Sequence, residues 1–241
     1  MATQILTDDD LNSSMVEYPG DGAPLSAFLC RPKQAGRLAG LILIQEWWGL
    51  NDHIKEIAQR FAKERFVVLA PDLYSRFGHV VTQNGAEAAK LSNALDPQQT
   101  VADLMEAVRY LKGLPEVDPD KIGVVGFSIG GSFALRLACR SREIRCAAPF
   151  YGEIPTNDEI EKLAAPILYI YGDEDGWIRK EEVQRLKDCL KKFKKTGEVK
   201  IYAGAPHAFF NDSRREVYNP KAAKDAWKRT LAFFEKQLRS F

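Results

Sequence analysis

Short runs of apolar residues recur along the chain, and longer segments of mixed polarity separate them. The runs cover residues 41–45, 66–70, 121–127, 146–152, 166–172 and 199–204. Several are so uniformly apolar that neither face is left for water, which is typical of strands in a parallel sheet covered on both sides. We therefore predict buried strands at these positions.

The segments between the runs carry apolar residues at helical spacing, which indicates helices with one buried face. Three such faces are Ile54, Ile57, Ala58 and Phe61; Val101, Leu104, Val108 and Leu111; and Trp227, Leu231, Phe234 and Leu238. Thr100 and Asp103 precede the second stripe and resemble a capping box, which predicts a helix start near residue 100.

The alternation of strand and helix patterns predicts a three-layer, doubly wound α/β fold around a mostly parallel sheet. Residues 15–30 resemble a leading hairpin. Within the 241 residues we find no linker, internal repeat or low-complexity tract, so we expect a single domain over residues 1–241.

The charge balance excludes some classes of partner. Because 34 basic and 33 acidic residues nearly cancel, we expect no nucleic-acid partner and no association with an anionic membrane. The lysine-rich segment 186–195 keeps Leu186, Leu190 and Phe193 at helical spacing, which predicts a solvated helix face. The N-terminus lacks the pattern of a secretory signal and no apolar run is long enough to span a membrane, so we expect a cytoplasmic protein.

Four cysteines are scattered along the chain without Cys-x-x-Cys pairs or histidines at metal spacing. They are Cys30, Cys139, Cys146 and Cys189. This pattern argues against both a disulfide framework and a metal site, and it predicts reduced, mostly buried thiols.

Ser128 stands in a G-x-S-x-G pattern between an apolar run and a helix-like segment, in GVVGFSIGGSFAL. Gly126 and Gly130 have no Cβ atom, so they allow a sharp turn that exposes the serine Oγ at the end of a strand. The alternative is an ordinary Ser-Gly turn. We predict that Ser128 is a nucleophile.

A serine hydroxyl needs a base within hydrogen-bond reach, and histidine is the usual one. Of the three histidines, His53 and His79 precede Ser128, whereas His207 follows it, directly beyond a predicted strand. In α/β-hydrolases the order is Ser, then Asp or Glu, then His. We therefore predict that His207 is the base.

The segment YIYGDEDGWI offers Asp173, Glu174 and Asp175 as the acid that orients the histidine. We predict Asp175, because it follows Gly172 at the spacing that usually presents the acid of the triad. For the oxyanion we predict two backbone N–H donors, that of Ile129 after the nucleophile and that of Trp47 after an early strand.

Aromatic residues follow the predicted strands or flank the triad, and such a lining would favour a neutral, apolar acyl or aryl group. Ordinary core packing is the alternative for each of them. They are Trp47, Trp48, Tyr74, Tyr151, Trp177 and Phe209.

Six motifs, in this order and spacing, resemble those of the dienelactone hydrolase family of α/β-hydrolases over residues 15–238. They are LILIQEWWGLNDHI, LAPDLYSR, GVVGFSIGG, PFYG, GDEDGWI and GAPHAFFND. The resemblance implies a compact α/β-hydrolase fold without a large cap domain and without a cofactor. It also implies attack on a small ester or lactone through an acyl-enzyme, with Ser128, Asp175 and His207 as the triad and Trp47 and Ile129 as oxyanion donors.

The sequence departs from the family at the nucleophile, because most members carry cysteine where this chain has Ser128. In those members a glutamate that matches Glu46 takes part in activating the thiol. Glu46 is therefore either a pocket carboxylate near Ser128, which we favour, or a surface residue beside a helix. The serine is either natural or an engineered replacement, and a hydroxyl would depend more heavily on His207 than a thiol would.

A second departure concerns the substrate. Family members that act on chlorocatechol-derived lactones hold the substrate carboxylate with arginines, one of them four residues after the histidine, where this chain has Asn211. Residues 80–100 contain no arginine, and we interpret Arg214 and Arg215 as an exposed loop pair. Asn cannot replace a bidentate clamp. We therefore expect a substrate other than a dienelactone.

Three functions are consistent with these patterns. The first is a serine-dependent hydrolase of small esters or lactones that uses no cofactor. The second is a weakly catalytic ligand-binding protein, and the third is a thiol-dependent lactonase present as a Cys-to-Ser variant. Survival of the whole triad favours the first; the sequence leaves the oligomeric state open.

Overall fold

The computed structural model describes residues 6–34 and 36–239, and the chain divides into two compact units, Met1–Ile122 and Gly123–Phe241. Each unit combines strands and helices. The single domain expected over residues 1–241 stays a prediction.

The first unit contains a hairpin, two further strands, three helices and the start of a fifth strand. The elements are β1 (Leu11–Tyr18), β2 (Leu25–Pro32), β3 (Leu38–Ile44), α1 (Asp52–Lys63), β4 (Val67–Pro71), α2 (Gly85–Ala94) and α3 (Pro97–Gly113). The strands lie in the order β1-β2-β4-β3. β2 pairs antiparallel with both β1 and β4, whereas β3 and β4 are parallel.

The second unit holds four parallel strands in the order β5-β6-β7-β8. β5 begins in the first unit and ends in the second. The elements are β5 (Val117–Phe127), α4 (Ile129–Arg140), β6 (Cys146–Phe150), α5 (Asn157–Glu161), β7 (Ile167–Glu174), α6 (Lys180–Lys192), β8 (Gly197–Pro206) and α7 (Pro220–Leu238).

The predicted α/β architecture is confirmed: every predicted strand is present, and all pairings outside the hairpin and β2–β4 are parallel among those given. The hairpin expected at 15–30 begins earlier, at Leu11, and ends later, at Pro32. Strands β4 and β6 are buried at every position, because helices cover both faces of a parallel sheet.

The capping box predicted for the start of the second helix is wrong. α3 begins at Pro97, and its N-cap is Asp96, whose carboxylate accepts the N–H of Gln99 at 2.7 Å. Proline at the first helical position needs no N–H partner, so Asp96-Pro97 forms a stronger start than Thr100 could. The Asp103 carboxylate accepts two hydrogen bonds from Arg76 instead of closing a capping box.

The lysine-rich segment is a solvated helix face, as predicted. α6 buries Leu186 and Leu190, while Lys191 and Lys192 are exposed. In the part of the chain that the structure describes, no helix is long and apolar enough to cross a membrane.

All four cysteines are free and buried, as predicted. Burial raises the pKa of the Cys30 thiol to about 11 and that of Cys139 to about 12, and it also raises the pKa of Cys146. Thiolate is the reactive form, so a raised pKa lowers reactivity at neutral pH.

We therefore expect Ellman's reagent to react slowly with the native protein at neutral pH and rapidly with all four thiols in guanidinium chloride. The measurement is the time course of absorbance in the two conditions. Rapid reaction of Cys30, Cys139 or Cys146 in the folded protein, located by peptide mapping, would contradict the burial described here.

Candidate active site

Ser128 occupies a strained turn between β5 and α4. Its backbone has φ 56° and ψ −118°, a region that non-glycine residues rarely adopt and that clusters at functional sites. The Ser128 N–H donates to the carbonyl of Phe150, the last residue of β6, at 3.1 Å. The turn is thus tied to the neighbouring strand.

Three glycines allow the backbone to pass this closely. A Cβ on Gly126 would lie 2.1 Å from the carbonyl oxygen of Gly130, and one on Gly131 would lie 2.3 Å from that of Phe150. A Cβ on Gly152 would lie 2.2 Å from the backbone nitrogen of Ser132. Gly126 was predicted from the sequence, whereas Gly131 and Gly152 were not; their signals were the third glycine of GFSIGG and the glycine of PFYG.

The structure brings Ser128 and His207 together. His207 directly follows β8, and its Nε2 lies 2.8 Å from the Ser128 Oγ. The side chain of His207 is 18% exposed, so it borders solvent without being surrounded by it. This distance allows direct proton transfer between the hydroxyl and the imidazole.

Asp175 is the acid beside the histidine. One carboxylate oxygen lies 2.7 Å from His207 Nδ1, and the other accepts the backbone N–H groups of Trp177 at 2.8 Å and Ile178 at 2.9 Å. The Asp175 side chain has no solvent exposure. Asp173, the competing residue, instead accepts the N–H of Gly204 at 2.7 Å.

These contacts set the tautomer of the imidazole. An ionised carboxylate only accepts hydrogen bonds, so Nδ1 of His207 carries a proton toward Asp175. The lone pair on Nε2 then faces the Ser128 hydroxyl and can take its proton. The three side chains therefore form one chain of hydrogen bonds from a buried negative charge to a hydroxyl on a strained turn.

A hydrogen bond from Tyr171 fixes the loop that holds Asp175. The Tyr171 hydroxyl donates to the carbonyl of Ile178 at 2.8 Å. Burial, together with the negative charge of Asp175, raises the pKa of Tyr171, so the phenol stays protonated and remains a donor.

Two predicted aromatic residues contact the histidine. The Tyr151 ring is buried and meets the His207 ring edge to face with centroids 5.1 Å apart. The ring centroid of Trp177 lies 5.9 Å from that of His207, and Trp177 is 66% exposed. Phe209 is fully buried against Tyr151 and Tyr202, so its predicted contact with a substrate stays a prediction.

Ile129, the predicted first oxyanion donor, is the first residue of α4. The first N–H groups of a helix have no acceptor within it, so such a group can donate to a ligand. The oxyanion role of Ile129 stays a prediction.

The other predicted site residues belong to the first unit. Glu46 is buried just after β3. The carbonyl of Trp47 accepts the Tyr74 hydroxyl at 2.8 Å, and that of Trp48 accepts the N–H of Thr82 at 3.0 Å. The oxyanion role of Trp47 and the pocket roles of Glu46, Trp48 and Tyr74 stay predictions.

Asn211 has a structural role within its loop. It is buried, and its side-chain oxygen accepts both the N–H of Ser213 at 3.1 Å and the Ser213 hydroxyl at 2.6 Å. Arg214 forms an ion pair with Glu216, and Arg215 is exposed. Among the described residues, no three His, Cys, Asp or Glu side chains are grouped as a metal site would require.

Residues 25–238 match the model of the dienelactone hydrolase family. "Protein usf" of Aquifex pyrophilus is 37% identical over 93% of this chain and 98% of its own length. The "Probable 2-oxo-3-(5-oxofuran-2-ylidene)propanoate lactonase" of Bradyrhizobium sp. is 33% identical over 97% of this chain and 96% of its own. A provisionally assigned dienelactone hydrolase from Klebsiella pneumoniae subsp. pneumoniae MGH 78578 superposes with a TM-score of 0.87 at 28% identity, covering 94% of this chain and 99% of that one. These neighbours have an α/β-hydrolase fold without a large cap domain, as predicted for this chain.

The two aspartates give a matched pair of variants for ester hydrolysis. Asp175→Asn places an amide NH₂ opposite His207 Nδ1 and favours the wrong tautomer, so kcat should fall by about 10³- to 10⁴-fold. Asp173→Asn keeps an oxygen for the Gly204 N–H, and its kcat should stay within about twofold of the parent enzyme.

The measurement is steady-state hydrolysis of p-nitrophenyl acetate by the two variants, with melting temperatures as a check on folding. Equal losses in both variants, or a loss confined to Asp173→Asn, would contradict the assignment of Asp175.

Proposed function

The chain belongs to the dienelactone hydrolase family, whose enzymes hydrolyse lactones and esters, and we propose that this member cleaves small neutral substrates through an acyl-enzyme on Ser128. The observation that carries the proposal is the hydrogen-bonded series Ser128–His207–Asp175, with distances of 2.8 and 2.7 Å. No cofactor enters the proposed reaction.

In the first step the Ser128 Oγ attacks the substrate carbonyl carbon while His207 Nε2 takes the hydroxyl proton. The carbonyl electron pair moves onto the oxygen, and the N–H of Ile129 would stabilise the oxyanion. Collapse of the tetrahedral adduct breaks the bond to the leaving alkoxide, which receives the proton from His207.

In the second step water hydrolyses the acyl-serine. His207 Nε2 takes a proton from the water as its oxygen attacks the acyl carbon, and the carboxylic acid leaves as Ser128 recovers its proton from His207. Asp175 stays ionised throughout and stabilises the imidazolium that forms in each half-reaction. For a lactone, the leaving oxygen becomes a hydroxyl that stays on the acyl chain, so hydrolysis of the acyl-serine releases a single hydroxy acid.

A serine nucleophile is supported by the direct contact with its base. A thiol with a lowered pKa can ionise before it reacts, whereas a hydroxyl must lose its proton as it attacks. The 2.8 Å contact between Ser128 and His207 meets that requirement. We assign no step to Glu46.

A neutral substrate is supported by the environment of the second unit. Asn211 is engaged with Ser213, and Arg214 is paired with Glu216, so neither offers the free bidentate donor that would hold a carboxylate. The aromatic rings of Tyr151 and Trp177 border His207 instead. Apolar acyl or aryl groups fit such surroundings.

The reaction is tested by hydrolysis of p-nitrophenyl acetate by the chain and by Ser128→Ala across pH 5 to 9. We expect the alanine variant to lose activity to the level of buffer.

Adding Ser128→Cys and a binding measurement to this experiment distinguishes two alternatives. If Ser128→Cys is far more active than the parent, the chain is a thiol-dependent enzyme carrying serine in place of cysteine. If the parent binds ester analogues but equals Ser128→Ala in rate, it is a binding protein and the proposed hydrolysis is wrong.

Substrate charge is tested with two esters of similar length, p-nitrophenyl butyrate and p-nitrophenyl hemisuccinate. An unpaired carboxylate loses hydration on binding, so kcat/KM should be at least about tenfold higher for the butyrate. Arg214→Ala is the control and should leave this ratio unchanged. A preference for the hemisuccinate that disappears in Arg214→Ala would show that this arginine does receive a substrate carboxylate.

A further inference from the structure

Residues Phe150–Glu153, which we call the 150–153 segment, begin at the last residue of β6 and contact the turn of Ser128 at both ends. Phe150 accepts the N–H of Ser128 at 3.1 Å. The N–H of Glu153 donates to the Ser132 hydroxyl at 2.8 Å, and that hydroxyl donates to the Ser128 carbonyl at 3.3 Å. The Ser132 side chain therefore joins this segment to the nucleophile turn.

The packing between the segment and the turn leaves little freedom for adjustment. Gly131 and Gly152 each lie where a single added carbon would collide with backbone atoms of the other side. The Tyr169 hydroxyl donates to the Gly152 carbonyl at 2.5 Å from a fully buried position. Burial raises the pKa of Tyr169 well above its ordinary range, so it stays a protonated donor.

The same segment also reaches the base. Tyr151 has a φ of 38°, and its ring meets that of His207 with centroids 5.1 Å apart. Its N–H donates to the Ile170 carbonyl in β7 at 2.7 Å. One short stretch of chain thus touches both partners of the proposed proton transfer.

We propose that Ser132 is a positioning residue, whose hydroxyl locks the 150–153 segment against the first turn of α4 and so holds the Ser128 Oγ in line with His207. The inference rests on the proposed function, because it concerns the reactivity of Ser128. Ser132 is buried and contacts no reacting atom, so it acts through the backbone of Ser128.

Removal of this hydroxyl has a defined consequence. In Ser132→Ala the Glu153 N–H loses its acceptor, and the Ser128 carbonyl keeps only the helical N–H of residue 132 at 3.0 Å. A strained turn persists only while its surroundings over-determine it. The turn then spends less time with Oγ aligned on His207, which slows attack without changing the surface that binds the substrate.

Ser141 provides a matched control at the other end of the same helix. It is also buried, and its hydroxyl oxygen also accepts one backbone N–H, that of Glu143 at 3.2 Å. It caps the C-terminus of α4. Ser141→Ala therefore removes a comparable hydrogen bond without touching the nucleophile turn.

The test uses O-ethyl O-(4-nitrophenyl) methylphosphonate as a single-turnover probe of the full chain. The Ser128 Oγ forms a bond to phosphorus, the bond to p-nitrophenolate breaks, and His207 takes the serine proton. Release of p-nitrophenolate, measured against probe concentration, gives a limiting rate and a half-saturating concentration. Intact mass confirms one label, and its absence in Ser128→Ala places that label at Ser128.

We expect Ser132→Ala to lower the limiting rate by about tenfold and to leave the half-saturating concentration within about twofold. Ser141→Ala should match the parent in both. Tyr169→Phe, which frees the Gly152 carbonyl, should shift the limiting rate in the same direction as Ser132→Ala. Its control is Tyr202→Phe, whose hydroxyl donates to Asp225 outside the segment.

An unimpaired limiting rate in Ser132→Ala overturns the inference while leaving the proposed function intact. Equal losses in Ser132→Ala and Ser141→Ala, with matching drops in melting temperature, also overturn it, because they show a general effect on stability. If the parent reacts no faster than Ser128→Ala, the proposed function and this inference both fail.

Discussion

The close approach between the start of α4 and the end of β6 is the constraint on which the candidate site depends. Ser128 holds an unfavourable backbone conformation, which costs on the order of 1–3 kcal/mol. The hydrogen bond from its N–H to Phe150 and the side-chain-free contacts at Gly126, Gly131 and Gly152 make that conformation the one that fits. Parallel pairing of β5 with β6 brings these segments into register.

The order of the strands brings the other site residues to the strained turn of Ser128. β5, β6, β7 and β8 are neighbours, and the carboxyl ends of parallel strands lie at one edge of a sheet. Ser128, Tyr151, Asp175 and His207 each follow closely on one of these four ends. Residues far apart in sequence therefore converge without a long or flexible connection, and the hydrogen bonds of Asp175 to its own loop keep the acid from rotating away from the imidazole.

The strands and the candidate triad could be predicted from the sequence, because local residue patterns indicate both. Uniformly apolar runs marked the strands, and the order of serine, aspartate and histidine marked the residues that the structure brings together. Contacts between distant segments left no such signal: Gly152 meets Ser132 only because two strands pair, and Tyr169 reaches Gly152 from a third. The wrong start predicted for α3 has a different cause. Asp96-Pro97 is a recognisable helix start in the sequence, but the prediction relied on the weaker capping pattern of Thr100 and Asp103.

The Ser128 side chain makes no hydrogen bond that caps α4, and its Oγ bonds to His207 alone among the contacts described. The backbone fixes the turn, and the atom at the tip of the side chain contributes nothing to it. Oxygen and sulfur are therefore interchangeable at this point as far as folding is concerned. Evolution can therefore exchange the nucleophilic atom at position 128 by changing a single codon. Each of the surrounding glycines cannot be replaced singly, because the new Cβ would collide with backbone atoms.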